Sequence, residues 1–341
     1  MEKFPEYFCI MQMPYAMRVA LFWLLCLCIV PVMATSPETR VFHFTYVIPA
    51  QDFPPGAAVD MYIPLPTSAP GQRILAQSLQ SSVPGQIGRE AAYGNTYYRL
   101  HRPAGNSTPL SATLSWTVAR DAVGGSGNGT LLAEEREKAL APDALVPVGH
   151  EILQPILAAV HKMRADDSPA ATARAIYDWV VDNVEYKKVG TGWGNGDTFW
   201  ACNERYGNCT DFHSLFISLA RSEGIPARFE MGFPIQQDSD RGEIGGYHCW
   251  VQVYLPKQGW VPIDASEAAK YPQQRELLFG GQPADRIHFS TGRDLVLSPG
   301  SAAAPLNYFI YPYVEVGDKP WSGKVATRFS FEEAQTPGVG G

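Results

Sequence analysis

Along residues 40–120, apolar and polar side chains alternate with a period of two. The runs Val-Phe-His-Phe-Thr-Tyr-Val-Ile (41–48), Ala-Val-Asp-Met-Tyr-Ile-Pro-Leu (58–65), Thr-Tyr-Tyr-Arg-Leu-His (96–101) and Leu-Ser-Ala-Thr-Leu-Ser-Trp-Thr-Val (110–118) read as strands. Clusters such as Phe53-Pro-Pro-Gly56 and Pro70-Gly71 separate them. Residues 35–120 are thus expected to form a small β-sandwich-like domain. It carries no chemical motif, so a binding module and a spacer are equally open readings. Residues 121–149 contain Gly-Gly-Ser-Gly-Asn-Gly and read as a Gly-rich linker.

From there the period becomes helical. Between His150 and Arg164, Ile152, Ile156, Leu157 and Val160 fall on one face. Ser168-Pro169 offers an N-cap and a first-turn proline for a helix to about Tyr186, with a core stripe of Ile176, Trp179, Val180 and Val184. A third helix is expected over 209–223, where Phe212, Leu215, Phe216 and Leu219 repeat and Gly224 supplies the stop. Three strands follow, at 228–235, 247–255 and 260–264. Beyond residue 270 the chain returns to strands, notably 306–316 and 325–331, and 336–341 read as a disordered tail.

The N-terminus changes the picture of where the chain works. Arg18 precedes an apolar run from Val19 to Val30, and Val32-Met33-Ala34 offers a cleavage position. The run is short for a membrane-spanning helix. Residues 1–34 are expected to be a signal peptide, with Met17 an alternative start. The mature chain would then be exported, periplasmic or extracellular, with no stable membrane insertion. Cleavage leaves Cys202, Cys209 and Cys249, an odd number, so at least one thiol stays free. A net charge of −7 and no long basic run argue against nucleic acid as a partner.

Candidate chemistry lies between residues 190 and 264. Gly207-Asn208 makes a turn and puts Cys209 in or just before the first turn of its helix, where unpaired N–H groups and the macrodipole favour a thiolate. Those N–H groups can also stabilise an oxyanion. On the strand Tyr-His-Cys-Trp-Val-Gln-Val-Tyr-Leu, His248, Trp250, Gln252 and Tyr254 share one face, and Cys249, Val251, Val253 and Leu255 the other. A turn at Lys257-Gln-Gly259 folds the next strand back, and Asp264 ends it. A nucleophile, a base and a carboxylate to orient the base could meet at one point. Each also has a plainer reading: a structural helix-start Cys, a satisfied strand His, an Asp capping the next turn. Trp250 beside His248, and Trp193 in the loop Gly190–Asp197, are candidates for a substrate groove. The spacing of Cys202, Cys209, His213 and Cys249 matches no zinc framework, Cys249 points to the strand face opposite His248, and no metal site is expected.

The string Arg-Tyr-Gly-Asn-Cys-Thr-Asp-Phe-His-Ser-Leu-Phe-Ile-Ser-Leu-Ala-Arg-Ser-Glu-Gly-Ile-Pro-Ala-Arg (205–228) resembles the nucleophile motif of the transglutaminase-like superfamily. Tyr-His-Cys-Trp-Val-Gln-Val-Tyr-Leu and Gly-Trp-Val-Pro-Ile-Asp resemble its His and Asp motifs. The resemblance covers about residues 150–275. It implies an α+β fold with a papain-like core, the Cys helix packed on an antiparallel sheet, preceded by the β-sandwich-like domain and followed by a C-terminal β extension of the core at 276–335. It implies Cys209, His248 and Asp264 as the catalytic residues, with Asp211 structural near the site. The implied function is a cysteine acyltransferase or hydrolase acting on protein or peptide amides, without a cofactor. Hydrolysis is favoured, since water is always present and no amine-selecting feature is visible. The family also holds members without activity, so a binding or scaffolding module is the alternative.

Overall fold

A computed structural model describes residues 39–125, 127, 129–297 and 304–334. The expected signal peptide and C-terminal tail lie outside the described residues. The first strands are β1 (Thr39–Gln51), β2 (Val59–Leu65), β3 (Gln72–Ser81), β4 (Gly85–Arg89), β5 (Thr96–Arg102) and β6 (Leu110–Asp121). Alternation acts on β1 as the pattern implies, burying Phe42, Phe44, Tyr46 and Ile48. β3 and β4 had no such signature. Both are edge strands, and β3 leaves most of its side chains exposed, so no apolar face marks it. In β4, Gly85 and Gly88 lie against the rings of Tyr98 and Tyr97, where a Cβ would come within 2.1 and 2.4 Å.

The chain continues through α1 (Ala133–Leu140), α2 (Gln154–Met163), α3 (Pro169–Asn183), β7 (Glu185–Tyr186), α4 (Thr198–Glu204), β8 (Tyr206–Gly207) and α5 (Cys209–Ser222). Then come β9 (Ala227–Pro234), β10 (Arg241–Glu243), β11 (His248–Leu255), β12 (Gly259–Ile263), α6 (Ala265–Lys270), β13 (Arg286–Thr291), β14 (Tyr313–Val316), β15 (Lys319–Pro320) and β16 (Arg328–Glu333). Strands β12-β11-β9-β13 form an antiparallel sheet against which α5 packs, with α3 beside α5. This is the α+β core with the Cys helix on its sheet.

The domain plan needs correcting at two places. Of the strands after residue 275, only β13 joins the core sheet. β16 lies between β10 and β1, and β14 pairs with β2 while carrying β15 at its edge. The two remaining large sheets, β10-β16-β1-β6-β3 and β15-β14-β2-β5-β4, are therefore built from both ends of the described chain. Periodicity tells which face of a strand is apolar; it carries no information about which strand fills the hydrogen bonds along its edge. The segment 121–149 is also more than a linker. It holds α1, the Leu145 carbonyl accepts from the Thr198 N–H (3.0 Å), and Asp143 pairs with Arg221 of α5 (2.7 Å).

All described residues fall in one compact unit. Its seam is aromatic: Phe44 and Trp116 of the outer sheet meet Phe233 and Phe289 of the core sheet and Phe329 of β16. Ring centroids lie 5.5 Å apart for Phe44–Phe233, 5.8 Å for Trp116–Phe289 and 4.2 Å for Phe233–Phe329. Burying each such side chain contributes roughly 1.5–3 kcal/mol.

Candidate active site

The helix bearing Cys209 begins where β8 ends, and its start is held by reciprocal capping. Asn208 Oδ1 accepts from the Thr210 N–H (2.9 Å), while Asp211 Oδ2 accepts from the Asn208 N–H (2.9 Å). Asp211 also accepts from the N–H groups of Gly194 (2.7 Å) and Gly196 (3.0 Å), which ties the loop 190–197 to the first turn of α5. Gly207 leaves room for this carboxylate, since a Cβ there would lie 2.2 Å from Asp211 Oδ2. Cys209 is thereby fixed as the first helical residue, and its own N–H has no intrahelical acceptor.

Cys209 and His248 are 2% and 6% exposed. Burial alone would raise the Cys209 pKa, yet hydrogen bonds with Cys249 and His248 and the positive charge on His248 bring it well below the usual thiol value. For His248, burial favours the neutral ring. The Asp264 carboxylate, 2.6 Å from Nε2, and the Cys209 thiolate outweigh it and lift the pKa to about 10. Asp264 is itself held well below the carboxylate range: burial opposes ionisation, but His248, Arg286 (Nη1 to Oδ2, 2.9 Å) and His213 stabilise the anion. Asp264 Oδ1 meanwhile accepts from the Glu267 N–H (3.0 Å) and from Ser266 Oγ (3.1 Å), capping α6. The two readings of Asp264 left open by the sequence therefore coexist, one per carboxylate oxygen.

Other expected positions fall differently. Trp250 is 1% exposed and tilts against His248 at 6.3 Å, with His288 and Arg286 against its indole. Its indole packs beside the imidazole of His248. It also lines a cavity of about 380 Å³, together with Arg120, Arg228, Trp260 and His288. Trp193 is half-buried in the loop that Asp211 holds, its Nε1 donating to the Gly190 carbonyl (3.2 Å). Cys249 turns toward α5, with its Sγ 3.5 Å from His213 Nδ1. Because α5 begins at the end of β11, its thiol also reaches Cys209, which the alternation of strand faces did not foresee. Burial and the neighbouring thiolate raise its pKa, burial raises that of Cys202 to about 11, and burial lowers His213 to about 4.

Several residues at the site had no local signal. Arg286 arrives from β13, across the core sheet. Tyr247 Oη lies 2.7 Å from Thr210 Oγ1 and accepts from Asn208 Nδ2 (3.1 Å), so it braces both neighbours of Cys209. Tyr308 and Tyr311 pack on Tyr247 with ring centroids 5.8 and 5.9 Å away. The aromatic run 308–313 reads as strand from sequence and serves here as a wall near the thiol.

With this geometry in place, comparisons locate the chain among known proteins. The model of the transglutaminase-like superfamily matches residues 158–265. An uncharacterised protein of Haemophilus influenzae is 31% identical over 199 residues, 49% of this chain and 54% of that protein. The uncharacterised protein YebA of Bacillus subtilis is 34% identical over 79 residues, 20% of this chain and 11% of that protein. The chain thus spans about half, or less, of the length of these curated relatives. A Cytophaga hutchinsonii crystal structure, described as that of a candidate cysteine protease, superposes with a TM-score of 0.51 at 19% identity, over 87% of this chain and 99% of that one. That likeness concerns the fold. The nucleophile, His and Asp motifs all fall within residues 158–265, the segment that the model of the transglutaminase-like superfamily matches.

Proposed function

We propose that the chain is an exported cysteine enzyme that opens amide bonds of proteins or peptides through Cys209, His248 and Asp264. The observation that carries this reading is the buried contact series in which Cys209 meets His248 and His248 meets Asp264 at 2.6 Å. Asp264 occupies Nε2 and leaves Nδ1 for the thiol. Cys209 Sγ⁻ attacks the carbonyl carbon, and the developing oxyanion takes the free N–H at the start of α5. The tetrahedral adduct collapses with loss of the C–N bond, His248 gives its proton to the leaving amine, and a thioester remains. Water, deprotonated by His248, then attacks the thioester, releasing the carboxylic acid and the thiol. An amine in place of water gives transfer; hydrolysis is the favoured outcome, because water reaches every acyl-enzyme and no amine-selecting feature marks the site. The steps use side chains and backbone only.

Trace iodoacetamide labelling of the mature chain across pH, mapped by mass spectrometry, tests the nucleophile. Cys209 is expected to label selectively near pH 6, ahead of Cys202 and Cys249, and His248→Ala should push its labelling toward the free-thiol pKa of about 8.5. Indiscriminate labelling indifferent to His248 would favour a non-catalytic binding module.

A further inference from the structure

A cleft of about 570 Å³ opens beside the site just described. Its lining includes Ile244 and Gly245 from the approach to β11, Tyr311 and Val314 from the approach to β14 and from β14 itself, and Trp321 and Lys324 from the segment before β16. That volume lies within the range of small-ligand pockets, about 300–1,000 Å³, and exceeds what a single side chain needs. Tyr311 and Trp321 are each 36% exposed, an uncommon state for two large aromatic rings lining one cleft. Phe329 and Val314 are buried beneath them, and Lys324 is the charged residue among those lining the cleft.

The cleft is joined to the thiol by direct packing. Tyr311 lines it and touches Tyr247, and Tyr247 Oη bonds the side chains of Asn208 and Thr210 on either side of Cys209. Tyr311 and Tyr247 therefore link the cleft to the turn that carries the nucleophile. Apart from Ile244 and Gly245, the walls of the cleft come from residues 311–329, outside the segment that the superfamily's model matches.

We propose that this cleft is a substrate subsite: it holds an extended peptide segment presenting an aromatic or large aliphatic side chain against Tyr311 and Trp321, with an acidic group near Lys324. The inference rests on the proposed cysteine chemistry and names the substrate class for it. Contact with a flat or branched apolar side chain removes the two exposed rings from water, and a carboxylate meets the cleft's one lysine at low cost because both remain at the solvent-facing rim. Glycine or a basic residue gains neither.

The test is the rate at which epoxysuccinyl peptides modify Cys209, read by mass spectrometry. The series carries Trp, Leu, Asp, Lys or Gly on either side of the electrophile, with iodoacetamide as the small reference. Trp- or Leu-bearing probes should react at least tenfold faster than Gly probes in one of the two directions. Trp321→Ala should abolish that preference while the iodoacetamide rate stays unchanged, and Lys324→Glu should invert the choice between Asp and Lys. Uniform rates across the series, or a preference that survives Trp321→Ala, overturn the subsite while leaving the nucleophile intact. A concentration-dependent dimer that shields Trp321 fluorescence, with uniform rates, would assign the cleft to a second copy and overturn it equally. If iodoacetamide itself spares Cys209, the cysteine chemistry fails and the subsite with it.

Discussion

Four ionisable side chains meet in the interior as a series of alternating sign: Cys209 thiolate, His248 imidazolium, Asp264 carboxylate and Arg286 guanidinium. Each ion taken from water would cost several kcal/mol on its own, and each has an opposite charge beside it, so the set buries no net charge. Arg286 is further partnered by Asp285 at 3.3 Å. Ionisation of the thiol is therefore tied to the whole series. Between the lowered thiol pKa and the His248 pKa of about 10, the thiolate–imidazolium pair persists; above about 10 the ring loses its proton, the acid that the proposed reaction requires. Asp264→Asn removes the anion that raises His248. The alkaline limb of amide turnover is expected to move from about pH 10 toward the ordinary His value of about 6.5, with turnover at pH 8 down by at least about tenfold. Ser266→Ala, which touches the other carboxylate oxygen, should leave that limb in place. A pH–rate profile of both variants checks this, and an unmoved limb in Asp264→Asn would exclude Asp264 as the group that sets the His248 proton.

At the scale of elements, the start of α5 is assembled from three segments: the loop 190–197, the turn Gly207-Asn208 and the strand end carrying Tyr247. The first two meet at the Asp211 carboxylate, which collects three backbone N–H bonds, and Tyr247 joins them through Asn208 and Thr210. The absence of a Cβ at Gly207 is what allows the carboxylate to sit there. Gly207→Ala must displace either the carboxylate or the turn, and overpacking of this kind costs about 1–3 kcal/mol. The variant should lose that much stability in urea unfolding and label more slowly at Cys209. Gly129→Ala, where a Cβ meets nothing within 4 Å, serves as the neutral control. The turn at Gly207-Asn208 was legible, because its cause is local. Which loop would supply the other two N–H groups was not, since Gly194 and Gly196 reach Asp211 only after the chain has folded back.

For the molecule as a whole, the division into an N-terminal domain, a core and an extension does not describe how the strands pair. β16 sits between β10 and β1, and Phe329 packs on Phe233 and Phe44 across the seam. A fragment of residues 150–275 lacks β13, the neighbour of β9, and exposes Phe233 without its aromatic partners. It is expected not to fold cooperatively, whereas the mature chain should show one unfolding transition by circular dichroism and by tryptophan fluorescence. Two separable transitions, or a native-like fragment, would restore independent domains.

What the sequence by itself determined is the set of features whose cause is local. The apolar face of each strongly patterned helix and strand, the turn at Gly207-Asn208 that opens the helix of Cys209, and the order of the Cys, His and Asp motifs follow from side-chain periodicity and hydrogen bonding within a few residues. The weakly patterned edge strands β3 and β4 escaped because exposure on both faces erases the period. Only the tertiary structure decided what depends on which distant segments become neighbours. It brought Arg286 to Asp264, buried Trp250 beside His248, let Cys249 touch Cys209, packed Tyr308 on Tyr247, and carried Tyr311 and Trp321 from the far end of the chain to the cleft. Strand pairing uses backbone groups that are the same at every residue, so the choice of partner is made by the shape and burial of the assembled core.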